Sequence, residues 1–242
     1  MIHLLMSLGF SALTVLLLYG SHLLTFKETI VPASIVFIVA FIVLGFKTAK
    51  KLEKIFLEVG KLLQNQKFDL AIQTLKSAYP LTRYQFGVKS QLDSQIGMIL
   101  YLRKEFNQSI PYLEQSKRLG HWMGVAMLAV AYFKKKDYAH MQTSFEYLAS
   151  KAKKQGLVWN LYAYCLLALN KKEEAQQVLA RGVNAAKEDG RVKDNLLDLQ
   201  NGKKTIKMKT YAEWYQFHLE APPVQTADRR SLFSAKRRYD WN

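Results

Sequence analysis

Residues 93–116 read DSQIGMILYLRKEFNQSIPYLEQS, and this stretch decides the fold. Ile96, Leu100, Phe106 and Leu113 recur at helical spacing, interrupted by the polar turn Arg103-Lys104-Glu105. No two-residue alternation runs through it, so the pattern predicts two short helices joined by a tight turn. Small residues accompany the large ones: Gly97 follows Ile96, Ser109 comes three after Phe106, and Ser116 closes the segment. A lone pair this short cannot bury its apolar face, so it requires neighbours of the same kind.

Those neighbours are present. Residues 55–80 (IFLEVGKLLQNQKFDLAIQTLKSAYP) carry Phe68, Ala71, Leu75 and Ala78. Residues 125–148 (VAMLAVAYFKKKDYAHMQTSFEYL) carry Ala129, Tyr132, Tyr138, Met141, Phe145 and Leu148. Residues 159–182 (WNLYAYCLLALNKKEEAQQVLARG) carry Trp159, Ala163, Leu166, Ala175, Leu179 and Gly182. The equivalent second-helix positions Ala71, Ser109, Met141 and Ala175 are spaced by 38, 32 and 34 residues. Small residues at Gly97, Ala129 and Ala163 let the two helices of a pair approach, while Phe68, Phe106 and Tyr138 fill the wedge between pairs. The segment RVKDNLLDLQ (191–200), with Val192, Leu196, Leu197 and Leu199, suits a helix that caps the last pair.

This pattern resembles the tetratricopeptide repeat (TPR) family, whose unit is a helix pair of about 34 residues. The large-then-glycine step stands at Ile96-Gly97, the early tryptophan at Trp159 and the second-helix alanine at Ala175. Met141 and Lys172 depart from the family pattern, and the closing proline stands only at Pro80. The resemblance implies an α-solenoid of about four helix pairs with a concave groove lined by the first helix of each pair. On the family pattern that groove presents Met98, Tyr101, Val130, Phe133, Asn160, Tyr164 and Leu167 to a protein partner. The Lys, Asn and Arg set with which chaperone-binding members clamp a terminal carboxylate is not supplied at these positions.

The chain has 242 residues, half of them apolar, and a formal charge of +16. This composition excludes disorder and a small disulfide scaffold. The mean hydropathy of -0.09 is also too low for a polytopic transporter. The charge is unevenly placed. Through residue 46 only Lys27 and Glu28 are charged, and two apolar runs, Ile2–Tyr19 and Ile30–Phe46, contain no Lys, Arg, Asp or Glu. Each approaches the length of about 20 residues that a spanning helix needs. Pro32 falls in the first turn of the second run, where a missing N–H costs little. No basic n-region or A-x-A-like site marks the first run as a cleaved leader. A two-helix transmembrane hairpin, with spans at about 2–19 and 30–46, is therefore expected.

Lys47, Lys50, Lys51 and Lys54 follow the second run. By the positive-inside rule they put the repeat on the cytoplasmic face, beside anionic lipid, with His22 and Glu28 solvated on the far side. The expected organisation is all-α: a hairpin at 1–46, a repeat domain with its capping helix at 47–202, and a basic, aromatic-rich tail at 203–242.

Nothing in the chain forms a catalytic or metal-binding constellation. Cys165 stands alone in an apolar run, the five histidines are scattered, and neither a P-loop nor a nucleophile elbow is present. No enzyme activity, cofactor or metal is expected. The tail combines Trp214, Tyr215 and Phe217 with Arg229, Arg230, Lys236, Arg237 and Arg238. Tyr211–Leu219 is expected as a short helix ended by Ala221-Pro222-Pro223. Such a tail suits anionic lipid, RNA, or docking on the repeat itself. The expected function is a membrane-anchored adaptor or scaffold that recruits or organises a protein partner, expected to be another membrane complex, at the cytoplasmic face. The layout is similar in architecture to the TPR membrane subunit of bacterial exopolysaccharide secretion systems, which implies a bacterial inner membrane. The alternative is a membrane-tethered RNA- or ribosome-binding protein using the tail.

Overall fold

The computed structural model describes residues 1–23 and 25–221, which are all-α: ten α-helices and two short 3-10 helices, with no strand among the described residues. The chain divides into two compact units, Met1–Lys207 and Met208–Asn242.

The first unit opens with α1 (Ile2–Gly20) and α2 (Phe26–Gln64), both long and apolar enough to cross a membrane. They pack against each other. Small and polar residues meet along the seam: Ser7, Thr29 and Ala33 are buried, and the Ser11 hydroxyl donates to the Ala33 carbonyl across 2.9 Å. The outer faces expose Leu5, Leu16, Leu17, Val31, Ile35 and Phe46. At the start of α2, the Thr25 backbone N–H donates to Glu28 across 2.8 Å, so Glu28 is an exposed capping residue. Helix α2 does not end where the apolar run ends. It continues through Phe46 and Lys47 to Gln64, about 58 Å in all. The expected boundary at 46–47 therefore holds no break in the backbone.

Beyond Lys47 the chain is a series of helix pairs. The end of α2 packs on α3 (Phe68–Ser77), α4 (Val88–Leu102) on α5 (Phe106–Ser116), α6 (Trp122–Lys134) on α7 (Tyr138–Lys151), and α8 (Gly156–Ala168) on α9 (Lys172–Ala185). Helix α10 (Gly190–Gln200) packs on α9 and α8. The first helices of successive pairs also touch: α4 meets α6, α6 meets α8, and α8 meets α10. Leu52 and Val59 of α2 share a core with Leu75, Leu92 and Ile96, so the end of the apolar hairpin is built into the first pair.

One turn geometry serves every pair. Gln66, Lys104, Lys136 and Asn170 all adopt left-handed φ between 55° and 65°. At each turn the next residue's N–H reaches back five residues. Lys67 donates to Leu62, Glu105 to Leu100, Asp137 to Tyr132 and Lys171 to Leu166, at 2.8 to 3.0 Å. This is the Schellman closure, which satisfies carbonyls the helix end leaves free. Each left-handed residue precedes the second-helix position Ala71, Ser109, Met141 or Ala175 by five, so the 38, 32 and 34 spacing reappears in the backbone. A fifth copy ends α10, with Gly202 at φ 88° and the Lys203 N–H donating to Asp198 across 3.0 Å. After this fifth turn no second helix follows; the chain runs on without helix from Lys203 to Lys207.

Close approach within pairs uses the small residues. A Cβ on Gly97 would stand 2.7 Å from Leu113 Cγ and 3.1 Å from the Leu113 backbone nitrogen. One on Gly182 would stand 2.7 Å from the Trp159 ring. The bulkier Met141 is accommodated fully buried. On α10 the packed stripe is Val192, Asn195 and Leu199, whereas Leu197 is exposed.

In the second unit, described through residue 221, the helix expected over Tyr211–Leu219 is a single 3-10 turn, Trp214–Phe217. Its N–H groups bond three residues back, Trp214 to Tyr211 and Gln216 to Glu213, and His218 stops it in a left-handed conformation. Met208, Tyr211, Trp214 and Phe217 are buried, and Tyr215 is half-buried. Arg229, Arg230, Lys236, Arg237 and Arg238 lie outside the described residues.

A left-handed backbone disfavours side chains that carry a Cβ. Replacing Gln66, Lys104 or Lys136 by Gly should therefore raise stability by about 0.5–1 kcal/mol each, and Gly202→Ala should lower it by about 1 kcal/mol, in thermal unfolding of the full chain. Gly97→Ala should lower stability by about 1–3 kcal/mol through overpacking. Gly60→Ala, whose Cβ would meet nothing within 4 Å, should raise it by about 0.5–1 kcal/mol.

Candidate partner-binding face

The face formed by α4, α6, α8 and α10 carries the seven residues the sequence points to, and it sorts them into two groups. Met98, Phe133, Tyr164 and Leu167 are partly exposed. Tyr101, Val130 and Asn160 are 0% exposed, which corrects their expected role of presenting side chains to a partner. The reason is packing within and between pairs. Tyr101 lies edge-on to Phe106 with ring centroids 5.0 Å apart, and burial pushes its phenol well above its ordinary pKa. Lys134 stands 5.2 Å over the same Phe106 ring, and burial lowers its ammonium pKa. Cys165 is wholly buried, which pushes its thiol up and disfavours the thiolate.

Asn160 and Asn195 form the polar centre of the face. The Asn160 side chain donates to the Gly156 carbonyl across 3.2 Å, and its Oδ1 accepts from Asn195 Nδ2 at 2.8 Å. Asn195 then holds the backbone of Lys207 at both ends. Its Oδ1 accepts from the Lys207 N–H at 2.8 Å, and its Nδ2 donates to the Lys207 carbonyl at 3.2 Å. Asp198 adds two ion pairs, to Lys203 at 2.7 Å and Lys207 at 3.3 Å, and these lysines hold its carboxyl below the usual carboxylate range. Ile206 is buried, and a cavity of about 180 Å³ remains between Tyr164, Leu167 and Ala168 on one side and Lys204, Thr205 and Ile206 on the other. The α8–α10 end of the face is thus occupied by the chain's own segment 203–207.

Asn195 was not singled out by the sequence. Its one signal is position: it lies between Val192 and Leu199 on the stripe that α10 buries, where a polar side chain must find partners. Lys47, Lys50, Lys51 and Lys54 are exposed along one continuous helix. Among the described residues, no group of three or more His, Cys, Asp or Glu side chains converges.

No family model matches the chain, and neither a curated protein nor a solved structure matches it.

The grip on segment 203–207 has a checkable consequence. Asn195→Ala should raise hydrogen exchange at the Lys207 amide at least about ten-fold, since a buried bidentate contact is worth more than about 1.4 kcal/mol. The Asp198 contribution is present above the unfolded carboxylate pKa and is lost as pH falls through its depressed folded value. Exchange protection over 203–207 should therefore decline on acidification in the wild type and show a smaller decline in Asp198→Asn.

Proposed function

We infer that the protein is a membrane-anchored, TPR-like adaptor whose helical repeat holds a protein partner at the cytoplasmic face. The anchor is the pair α1 and α2, whose outward apolar surfaces bilayer lipid would cover. The four exposed lysines from Lys47 to Lys54 favour the cytoplasmic side for the repeat. Four pairs closed by the same turn, at spacings near the family's unit, support a TPR-like solenoid with α10 as its terminal helix.

The observation that carries the adaptor reading is the bidentate hold of Asn195 on the Lys207 backbone. It is the chemistry by which a helical groove takes an extended segment irrespective of its side chains. Met98, Phe133, Tyr164 and Leu167 supply partly exposed apolar anchors along the same face. The RNA- or ribosome-binding alternative draws on arginines and lysines of the tail that lie outside the described residues.

A photo-crosslinker at Met98 or Phe133, in intact membranes, should give one discrete adduct with another membrane protein in near-stoichiometric yield. Adducts confined to this chain's own residues would sink the adaptor reading. Protease added to inside-out vesicles should remove the repeat, whereas right-side-out vesicles should protect it.

A further inference from the structure

We propose that the turns joining one pair to the next form a lipid-facing edge, with a phosphate-headgroup site for anionic phospholipid between the α5–α6 and α7–α8 turns. The proposal rests on the reading of α1 and α2 as membrane spans and adds a second, peripheral attachment to that bilayer.

The site is a groove of about 530 Å³. Lys117, Arg118, Lys151, Lys153 and Lys154 line it together with the half-buried Trp122, and no acidic residue does. None of the five cations makes an ion pair within the described residues. Three arginines elsewhere are compensated: Arg181 is held by Glu146, Arg103 by Asp69 and Glu105, and Arg191 by Asp189. Five like charges in one concavity repel each other, and a bound anion relieves that repulsion. The turns shaping the groove are backbone-braced. Gly120 donates to Ser116, Ala152 to Leu148, and Trp159 Nε1 to the Lys153 carbonyl, at 2.6 to 2.8 Å. Lys117 Nζ sits 5.6 Å over the ring of Tyr147, which also lines the groove.

Position selects the occupant. Helix α1 begins against the turn that follows α3: the His3 N–H donates to the Tyr84 carbonyl across 3.2 Å, and the two rings lie 5.5 Å apart. A second groove joins Met1 to Phe86, Lys89 and Leu119, and Leu119 precedes Gly120 of the basic groove. The basic groove is therefore the next one along the row of turns from the point where the apolar hairpin starts. Phe86 and Leu119 protrude from this row, 75% and 49% exposed. Apolar tips beside unpaired cations and an indole are the composition of a bilayer interface. The turns within pairs differ, because Glu105, Asp137, Glu173 and Glu174 are interleaved with their lysines.

The test uses the full chain with an environment-sensitive fluorophore on Leu119→Cys; native Cys165, wholly buried, stays unlabelled. It is placed in nanodiscs of phosphatidylcholine alone or with phosphatidylglycerol. Emission should shift to the blue only with phosphatidylglycerol and return toward water-like values in high salt. Each of Lys117→Gln, Lys151→Gln and Lys153→Gln should lower the docked-to-undocked ratio about five-fold. Helix content by circular dichroism should stay unchanged, which separates lost docking from lost folding. Equal emission in the two lipids overturns the proposal, as does a shift the substitutions leave intact. So does a response to added RNA without one to phosphatidylglycerol. A chain that co-elutes with nanodiscs yet keeps water-like emission overturns the docking alone. One that fails to co-elute overturns the span reading and the site with it.

Discussion

Each helix pair of the repeat turns back through one left-handed residue, and the remaining packing depends on that reversal. The Schellman closure at Gln66, Lys104, Lys136 and Asn170 sets where the second helix starts, and so which of its residues face the first. Ala71, Ser109, Met141 and Ala175, five residues later, arrive fully buried in every pair. Three of the four turns put Gln or Lys where Gly would be easier, at a cost of about 1 kcal/mol apiece. The interfaces between pairs offset this cost. Phe145, for example, stacks on Tyr162 of the following pair at 4.7 Å, and Arg181 reaches back to Glu146 across 35 residues.

The second constraint is the unbroken α2. A flexible linker after Phe46 would leave the repeat free to rotate relative to the hairpin. A helix continuing to Gln64, with Leu52 and Val59 in the first pair's core, does not. In the membrane reading this makes orientation a property of one rigid element, and it is why a row of turns can face the lipid consistently. The contact of His3 with Tyr84 closes the same junction from the other helix of the hairpin.

The fifth turn changes what the α8–α10 end of the face is. After Gly202 the chain has the geometry to begin another second helix but instead lays Lys203–Lys207 against Asn195 and Asp198. The groove inferred from the family pattern is therefore filled there by the chain itself, and its partly exposed apolar residues are Met98, Phe133, Tyr164 and Leu167. Tyr101, Val130 and Asn160 lie on the same helices but are covered by packing within and between pairs, because each first helix contacts both its own partner and the next first helix.

Much of this was legible along the chain. The all-α class, the two apolar helices, the pairs and their 38, 32 and 34 spacing follow from local hydrophobic period and small residues, which act within one or two turns of helix. The 3-10 turn at Trp214–Phe217 is shorter than the expected helix because apolar spacing alone does not separate four residues of 3-10 from a longer α-helix. Asn195 was invisible because its role lies in partners 35 residues back and 12 residues on. The basic groove was equally hidden, since Lys117 and Arg118 come together with Lys151, Lys153 and Lys154 only when two turns are stacked. The sequence by itself determined which segments are helical and where they reverse, because those choices are settled by neighbours a few residues away. Tertiary structure alone decided which side chains are covered, which charges stay unpaired and what fills the groove, because burial and charge compensation depend on residues brought together from distant turns.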